Sequence, residues 1–171
     1  MITGGVRSGK SRYAELLLAE EPAVTYLAPG PKRDSDPEWV ARISAHRLRR
    51  PASWTTVETA DLAGALRAAD QAVMIDCLGT WLTAIIDQLG SWDAPLTDWQ
   101  DDLGRELDQV VEAWQTYPGT AVAVTNEVGW GLVSEHRSGR VFTDLLGRVN
   151  QVFAAASDEV ILVVAGRALR L

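Results

Sequence analysis

The sequence predicts an α/β fold built on a mainly parallel sheet, with helices on both faces and an antiparallel edge strand at the C-terminus. Three observations carry this. Strand-length apolar runs alternate with helix-length amphipathic stretches along all 171 residues. The runs are apolar throughout rather than at every second position, as in strands buried on both faces. A glycine-rich turn ending in Gly-Lys-Ser stands between the first strand and the first helix, which makes the fold P-loop NTPase-like. The length suits a single domain, residues 1–171.

Taken in order, residues 1–3 form a short first strand and residues 11–20 a helix with Tyr13, Leu16 and Leu17 on one face. Residues 23–28 (AVTYLA) read as a buried strand. Residues 29–37 hold three prolines, Gly30 and four charges, and read as a loop. A helix follows at 38–49 and stops before Pro51. Next come a strand at 54–58, a helix at 62–69 and an apolar strand at 71–77 that ends near an acid. Helices are predicted at 80–89 and 96–117, separated by the turn-rich 90–95. A strand at 120–125, a helix at 140–156 and a strand at 159–165 complete the alternation, and 167–171 pairs as the last edge strand.

Composition narrows the function. With Lys+Arg 16 against Asp+Glu 23, the net charge is −7. That balance argues against nucleic acid as a partner, while allowing a local cationic pocket. No apolar run reaches the roughly 20 residues that span a bilayer, so membrane insertion is not expected. Glycines and charges from Gly4 and Arg7 onward are unlike a signal peptide. The single cysteine, Cys77, cannot form an intramolecular disulfide, which suits a cytoplasmic enzyme.

The segment Gly4-Gly5-Val6-Arg7-Ser8-Gly9-Lys10-Ser11 satisfies G-x-x-x-x-G-K-[ST]. Its glycines let backbone N–H groups turn inward onto phosphate oxygens, and the following helix adds the positive end of its dipole. Lys10 is placed to reach the β- and γ-phosphates and Ser11 to ligate Mg²⁺. A second ligand to Mg²⁺, direct or through water, is expected at the end of a neighbouring strand. Asp76 is the first candidate and Glu127 a weaker one. Each has a plainer alternative, Asp76 as a helix cap and Asn126–Glu127 as a capping pair before the Gly129–Gly131 turn. A P-loop specifies nucleotide binding, with GTP or ATP as the ligand, and leaves the reaction open.

Of two histidines, His46 has Arg42, Arg47, Arg49 and Arg50 around it, a local anion trap in an acidic protein. A neutral imidazole is a competent nucleophile at phosphorus, although a lone helical histidine is more often packed or solvated. His136 reads as a solvated loop residue. Seven tryptophans punctuate the helices. Most read as core or interface residues, and Trp81, Trp92 and Trp99 as a cover for a bulky substrate or a subunit contact.

Four ordered motifs together resemble one family. They are the phosphate loop from Thr3 to Arg12, Arg42-Ile43-x-x-His46-Arg47-x-x-Arg50-Pro51-x-x-Trp54-x-Thr56-x-Glu58, Thr125-Asn126-Glu127-Val128-Gly129-x-Gly131-Leu132-Val133, and Gly147-Arg148-Val149-Asn150-Gln151. The chain resembles, nearly end to end, the bifunctional adenosylcobinamide kinase/adenosylcobinamide-phosphate guanylyltransferase family of cobalamin biosynthesis. The resemblance implies phosphorylation of adenosylcobinamide by ATP or GTP. It then implies transfer of GMP from GTP to adenosylcobinamide phosphate through a GMP–histidine intermediate on His46, giving adenosylcobinamide-GDP. It places nucleotide contacts at the phosphate loop, at Ala28, Pro29 and Gly30, at Arg47, Leu48, Arg49 and Arg50, at Glu58 and at Asp76. It also implies a homo-oligomer, with a trimer as the leading form. Two positions depart from the pattern: Pro29 stands where the family has a small hydroxyl residue, and Asp76 where relatives have glutamate. The alternatives are a plain P-loop small-molecule kinase with one activity and a nucleotide-binding switch.

Overall fold

The computed structural model describes residues 1–30, 50–90 and 92–171. Seven strands form one sheet: β1 (Ile2–Thr3), β2 (Val24–Leu27), β3 (Trp54–Val57), β4 (Ala72–Asp76), β5 (Ala121–Val124), β6 (Ile161–Val164) and β7 (Arg167–Arg170). Their order is β3-β2-β4-β5-β1-β6-β7. Every pairing is parallel except the last, where β7 returns antiparallel along β6. The β6–β7 turn places Ala165 at φ 49 and Gly166 at φ 75, the twist that a two-residue hairpin of right-handed strands requires. The expected antiparallel edge is therefore present.

Five α-helices are described: α1 (Lys10–Leu17), α2 (Leu62–Ala68), α3 (Leu78–Leu89), α4 (Gln100–Gln115) and α5 (Arg137–Ala155). Alternation along the strands sorts side chains to the two faces. Val73 and Ile75 join Leu62, Leu82, Trp81, Leu107, Leu146 and Phe153 in a core beneath α2 to α5. Ala72 and Met74 join Tyr26, Val24, Ala14 and Leu18 in a second core beneath α1. Local signals set the helix ends. The Asp61 side chain accepts from the Gly64 N–H to start α2, and Gly90, at φ 64, ends α3.

The helix expected at 96–117 is divided. A 3₁₀ turn, Leu96–Asp98, precedes α4, and the chain breaks at Trp99, whose φ is −140°. Pro95 opens the turn, and the break lets the Trp99 indole enter the core, where it is 4% exposed. Trp81 is fully buried as well. Neither forms a substrate cover or a surface for a partner, and Trp92 is half-buried with its indole N–H on Asp87, 2.5 Å away. Helix α3 starts two residues earlier than expected, at Leu78, and α5 three earlier, at Arg137, with exposed His136 as its N-cap. The helix expected at 38–49, including Trp39, and most of the preceding loop lie outside the described residues.

Candidate active site

Parallel strands deliver their C-terminal ends to one edge, where ligands of open α/β sheets bind. From β3 to β1 along that edge stand Glu58, then residues 28–30, then Asp76, then Asn126 and Glu127, then the phosphate loop. Four strand spacings of about 4.8 Å put this row across roughly 19 Å. The strand order, not proximity in sequence, brings these residues together. His46, Arg47, Leu48 and Arg49 lie outside the described residues.

The phosphate loop follows β1 directly. A Cβ on Gly4 would stand 2.4 Å from the Val163 carbonyl oxygen, so only glycine lets the loop leave the sheet there. Gly9, at φ 97, caps α1 without a side chain, which leaves the first-turn N–H groups of α1 to meet an anion. The N–H of Gly166 donates to the Ser8 carbonyl at 2.8 Å, so the β6–β7 turn braces the loop from behind. Val6 and Arg7 are exposed at its tip, while Lys10 is buried and donates to the Gly5 carbonyl at 3.2 Å. That carbonyl holds the ammonium over the loop it would share with phosphates. Among the described residues the buried Ser8 hydroxyl has no hydrogen-bond partner.

Asp76 ends β4. It is not a helix cap: Cys77 is the N-cap of α3. Instead its Oδ2 accepts from the Tyr26 hydroxyl at 2.8 Å. Burial, and then the Asp76 charge, push the Tyr26 hydroxyl far above its ordinary range, so it remains a donor. Arg50 lies over the Tyr26 ring, 3.3 Å from its centroid, and donates to the Thr56 hydroxyl at 2.7 Å. Burial raises the Cys77 thiol too, with Asp76 adding to the rise and Thr80 and then Lys10 opposing it. The Lys10 ammonium thus acts electrostatically across the gap between the phosphate loop and the end of β4.

Glu127 is also tied to the loop, not to a helix cap. Its N–H donates to the Gly4 carbonyl at 3.1 Å, and its Oε1 accepts from the Thr3 hydroxyl at 2.6 Å. Asn150 of α5, 7% exposed, accepts from Thr125 at 2.6 Å and donates to the Asn126 carbonyl at 3.0 Å. The Asn126 side-chain oxygen is buried without a hydrogen-bond partner among the described residues. Pro29 is buried and Ala28 donates its N–H to Val57, so only backbone and one apolar ring are offered at that end of β2. Tyr26, Thr3 and Asn150 were not singled out as site residues by the sequence. A strand Tyr among apolar neighbours reads as core, and only the register, which pairs it with Met74 two residues before the acid on the next strand, shows otherwise.

Among the described residues no three His, Cys, Asp or Glu side chains form a metal cage. Mg²⁺ on a nucleotide needs none, because phosphates and waters complete its shell. The Ser11 hydroxyl and the Asp76 carboxylate are hard oxygen donors of the kind it takes. The one nearby sulfur, Cys77, is buried and turned toward Thr80, 3.6 Å away. The donor set therefore fits Mg²⁺.

Comparison with known proteins agrees with this layout. In fold, the chain is similar to an ATPase from the type III secretion system of pathogenic bacteria, with TM-score 0.56 and 13% identity over 94% of this chain and 49% of that one. In sequence, it is 42% identical to the bifunctional adenosylcobalamin biosynthesis protein CobU of Salmonella typhimurium over 100% of this chain and 98% of the relative. The Escherichia coli protein of the same name is 40% identical over 100% and 98%. The bifunctional adenosylcobalamin biosynthesis protein CobP of Pseudomonas aeruginosa is 37% identical over 97% and 92%. The family model CobU, cobinamide kinase / cobinamide phosphate guanyltransferase, matches residues 1–171. By that full-length match, and by a phosphate loop and acids gathered on one sheet edge, the chain belongs to the cobinamide kinase / cobinamide phosphate guanyltransferase family.

Proposed function

We propose that one site at the C-terminal edge of the sheet, in a single catalytic domain, carries both reactions of the family. The acceptor hydroxyl of adenosylcobinamide first attacks the γ-phosphorus of ATP or GTP, the bond from that phosphorus to the β–γ bridging oxygen breaks, and ADP or GDP leaves as the hydroxyl proton passes to solvent. A His46 ring nitrogen then attacks the α-phosphorus of GTP and pyrophosphate leaves. An oxygen of the adenosylcobinamide phosphate next attacks the same phosphorus, the P–N bond to His46 breaks, and adenosylcobinamide-GDP is formed. The single observation that carries this reading is the buried Lys10, held at the Gly5 carbonyl of a phosphate loop that shares one sheet edge with Asp76.

Each residue has a task that its position suits. The loop N–H groups and the α1 N-terminus bind phosphates, and Lys10 stabilises charge on the transferred group. Ser11 and Asp76 would hold Mg²⁺, which when bound neutralises the phosphates, while Glu127 stands by on the other side of β5. Glu58, residues 28–30 and Arg47 to Arg50 would orient the nucleotide. A cytoplasmic homo-oligomer, a trimer in the leading form, is the expected working state.

Incubation with α-labelled GTP and Mg²⁺, without acceptor, followed by denaturing electrophoresis, tests the covalent step. The wild type should retain label in a bond labile to acid and stable to base. His46→Ala should lose both the label and guanylyl transfer yet still phosphorylate adenosylcobinamide. His136→Ala should lose neither. Undiminished labelling of His46→Ala would overturn the assignment.

A further inference from the structure

We infer that Tyr26 is a positioning residue for the site: its hydroxyl fixes the carboxylate of Asp76, and its ring seats the guanidinium of Arg50. The inference goes beyond the site residues named so far and rests on the reading of Asp76 as the carboxylate beside Mg²⁺.

Four side chains on three neighbouring strands and the approach to β3 make one row. Tyr26 on β2 is in register with Thr56 on β3 and with Met74 on β4, two residues before Asp76. Its hydroxyl therefore points along the sheet toward the edge, where Asp76 receives it at 2.8 Å. Strand alternation puts Tyr26, Met74 and Asp76 on the same face, that of α1. The ring has little freedom. It is 3% exposed, Trp54 lies 6.5 Å away at one side, and Arg50 covers it at 3.3 Å. Arg50 is pinned in turn by the Thr56 hydroxyl, and its Nε is buried with no hydrogen-bond partner among the described residues. A guanidinium held this way relies on the ring for part of its environment.

Physical chemistry gives the arrangement a purpose beyond packing. A carboxylate serving a metal needs one oxygen held so that the other lone pairs keep their direction. A phenol does this as a hydrogen-bond donor, its hydroxyl on one Asp76 oxygen at 2.8 Å. The same side chain fixes the distance between an acid assigned to the metal and an arginine assigned to the nucleotide. Phenylalanine would supply the ring for Arg50 and the apolar volume, but not the donor, so the two roles separate in one substitution.

The test uses the full chain and Mn²⁺ as a paramagnetic substitute for Mg²⁺, with binding read by electron paramagnetic resonance beside a non-hydrolysable GTP analogue. Tyr26→Phe should weaken Mn²⁺ binding by about tenfold, the lower end of what loss of an outer-shell partner costs. Binding of the analogue in EDTA should stay within about twofold, as removing a hydroxyl that serves the carboxylate predicts. Asp76→Asn should weaken Mn²⁺ more, and the double substitution no further than Asp76→Asn alone. Thermal unfolding of each variant accompanies the titrations, and Tyr26→Leu, which removes donor and ring together, should in addition weaken the analogue in EDTA. If Asp76→Asn binds Mn²⁺ less well and Tyr26→Phe binds it normally, the inference fails while the metal reading stands. Additive losses in the double variant overturn it as well, because Tyr26 would then act by another route. If Asp76→Asn itself binds Mn²⁺ normally, the metal reading fails and takes this inference with it.

Discussion

The two faces of the sheet are built for different purposes. Under α2 to α5 the core is broad and almost wholly apolar, with Trp81, Leu82, Ile86, Leu146 and Phe153 all closed to solvent. Two of its indoles are satisfied locally, Trp81 donating to the Ala60 carbonyl at 3.1 Å and Trp114 to Ser157 at 3.2 Å, while the buried Trp99 indole N–H has no hydrogen-bond partner among the described residues. Under α1 the core starts apolar, with Val24, Met74 and Leu18, and turns polar toward the C-terminal edge. There the Tyr26 hydroxyl donates to Asp76, and buried Cys77 follows on the same strand end. One sheet thus separates most of its stability from most of its chemistry. The division follows from parity along the strands: Val73 and Ile75 face one way, Ala72, Met74 and Asp76 the other.

The largest expected effect tests the structural face. Trp81→Ala removes a fully buried indole and its bond to Ala60, and should cost about 3–5 kcal/mol in urea unfolding. At low temperature, in the folded fraction, nucleotide affinity should be close to wild type. A variant that unfolds normally but binds nucleotide poorly would break the division.

The next effect tests the chemical face. Lys10→Ala should reduce the kinase and guanylyltransferase reactions together, on the order of 10²–10³-fold, by comparison with loss of other preorganised donors. Its urea midpoint should correspond to within about 1 kcal/mol of wild type, because the desolvation of a buried ammonium offsets most of what its contacts contribute. Near-normal rates for either reaction would mean that the two do not share one phosphate cradle.

How much of this was legible in the sequence follows the same line. The glycine-rich loop could be read because its motif fixes residue type and spacing, and the place of Asp76 because it closes an apolar run. Strand number and parallelism could be read from apolar runs. Strand order could not, because β5 enters between β4 and β1 through pairings some fifty and more residues apart in the chain. Trp99 misled because apolar spacing continues through a 3₁₀ turn as it does through a helix. Tyr26 and Asn150 were hidden for a common reason. Each occupies a position whose burial fits an apolar residue, and only the partner across the fold, Asp76 or Thr125, reveals the polar task. Glu127 stands at the sheet edge because it follows β5, but its tie to Thr3 required the structure.

The smallest expected effect lies where the faces join. Cys77 packs with the α1-side core yet serves as N-cap of α3 on the other side, its sulfur accepting from the first turn at Thr80. Serine is a stronger cap than a thiol, whereas alanine offers none, so Cys77→Ser should exceed Cys77→Ala in stability by about 0.5–2 kcal/mol. Against wild type, the better cap of serine is offset by a hydroxyl in an apolar pocket, leaving the two within about 1 kcal/mol. Alkaline pH separates them. Burial raises the folded thiol above its unfolded value, so the folded state keeps a proton that the unfolded chain releases. Stability contributed by Cys77 is therefore whole below the ordinary thiol range, about 8.5, and falls as pH rises through it, by at most about 1.4 kcal/mol per unit. Serine does not titrate there, so the unfolding free energies of wild type and Cys77→Ser should diverge from pH 8.5 to 10, with the wild type losing more. Parallel curves would show that the folded thiol ionises as readily as the unfolded one. The junction between the faces would then be open to water, and the separation of stability from chemistry less complete than the packing of Cys77 requires.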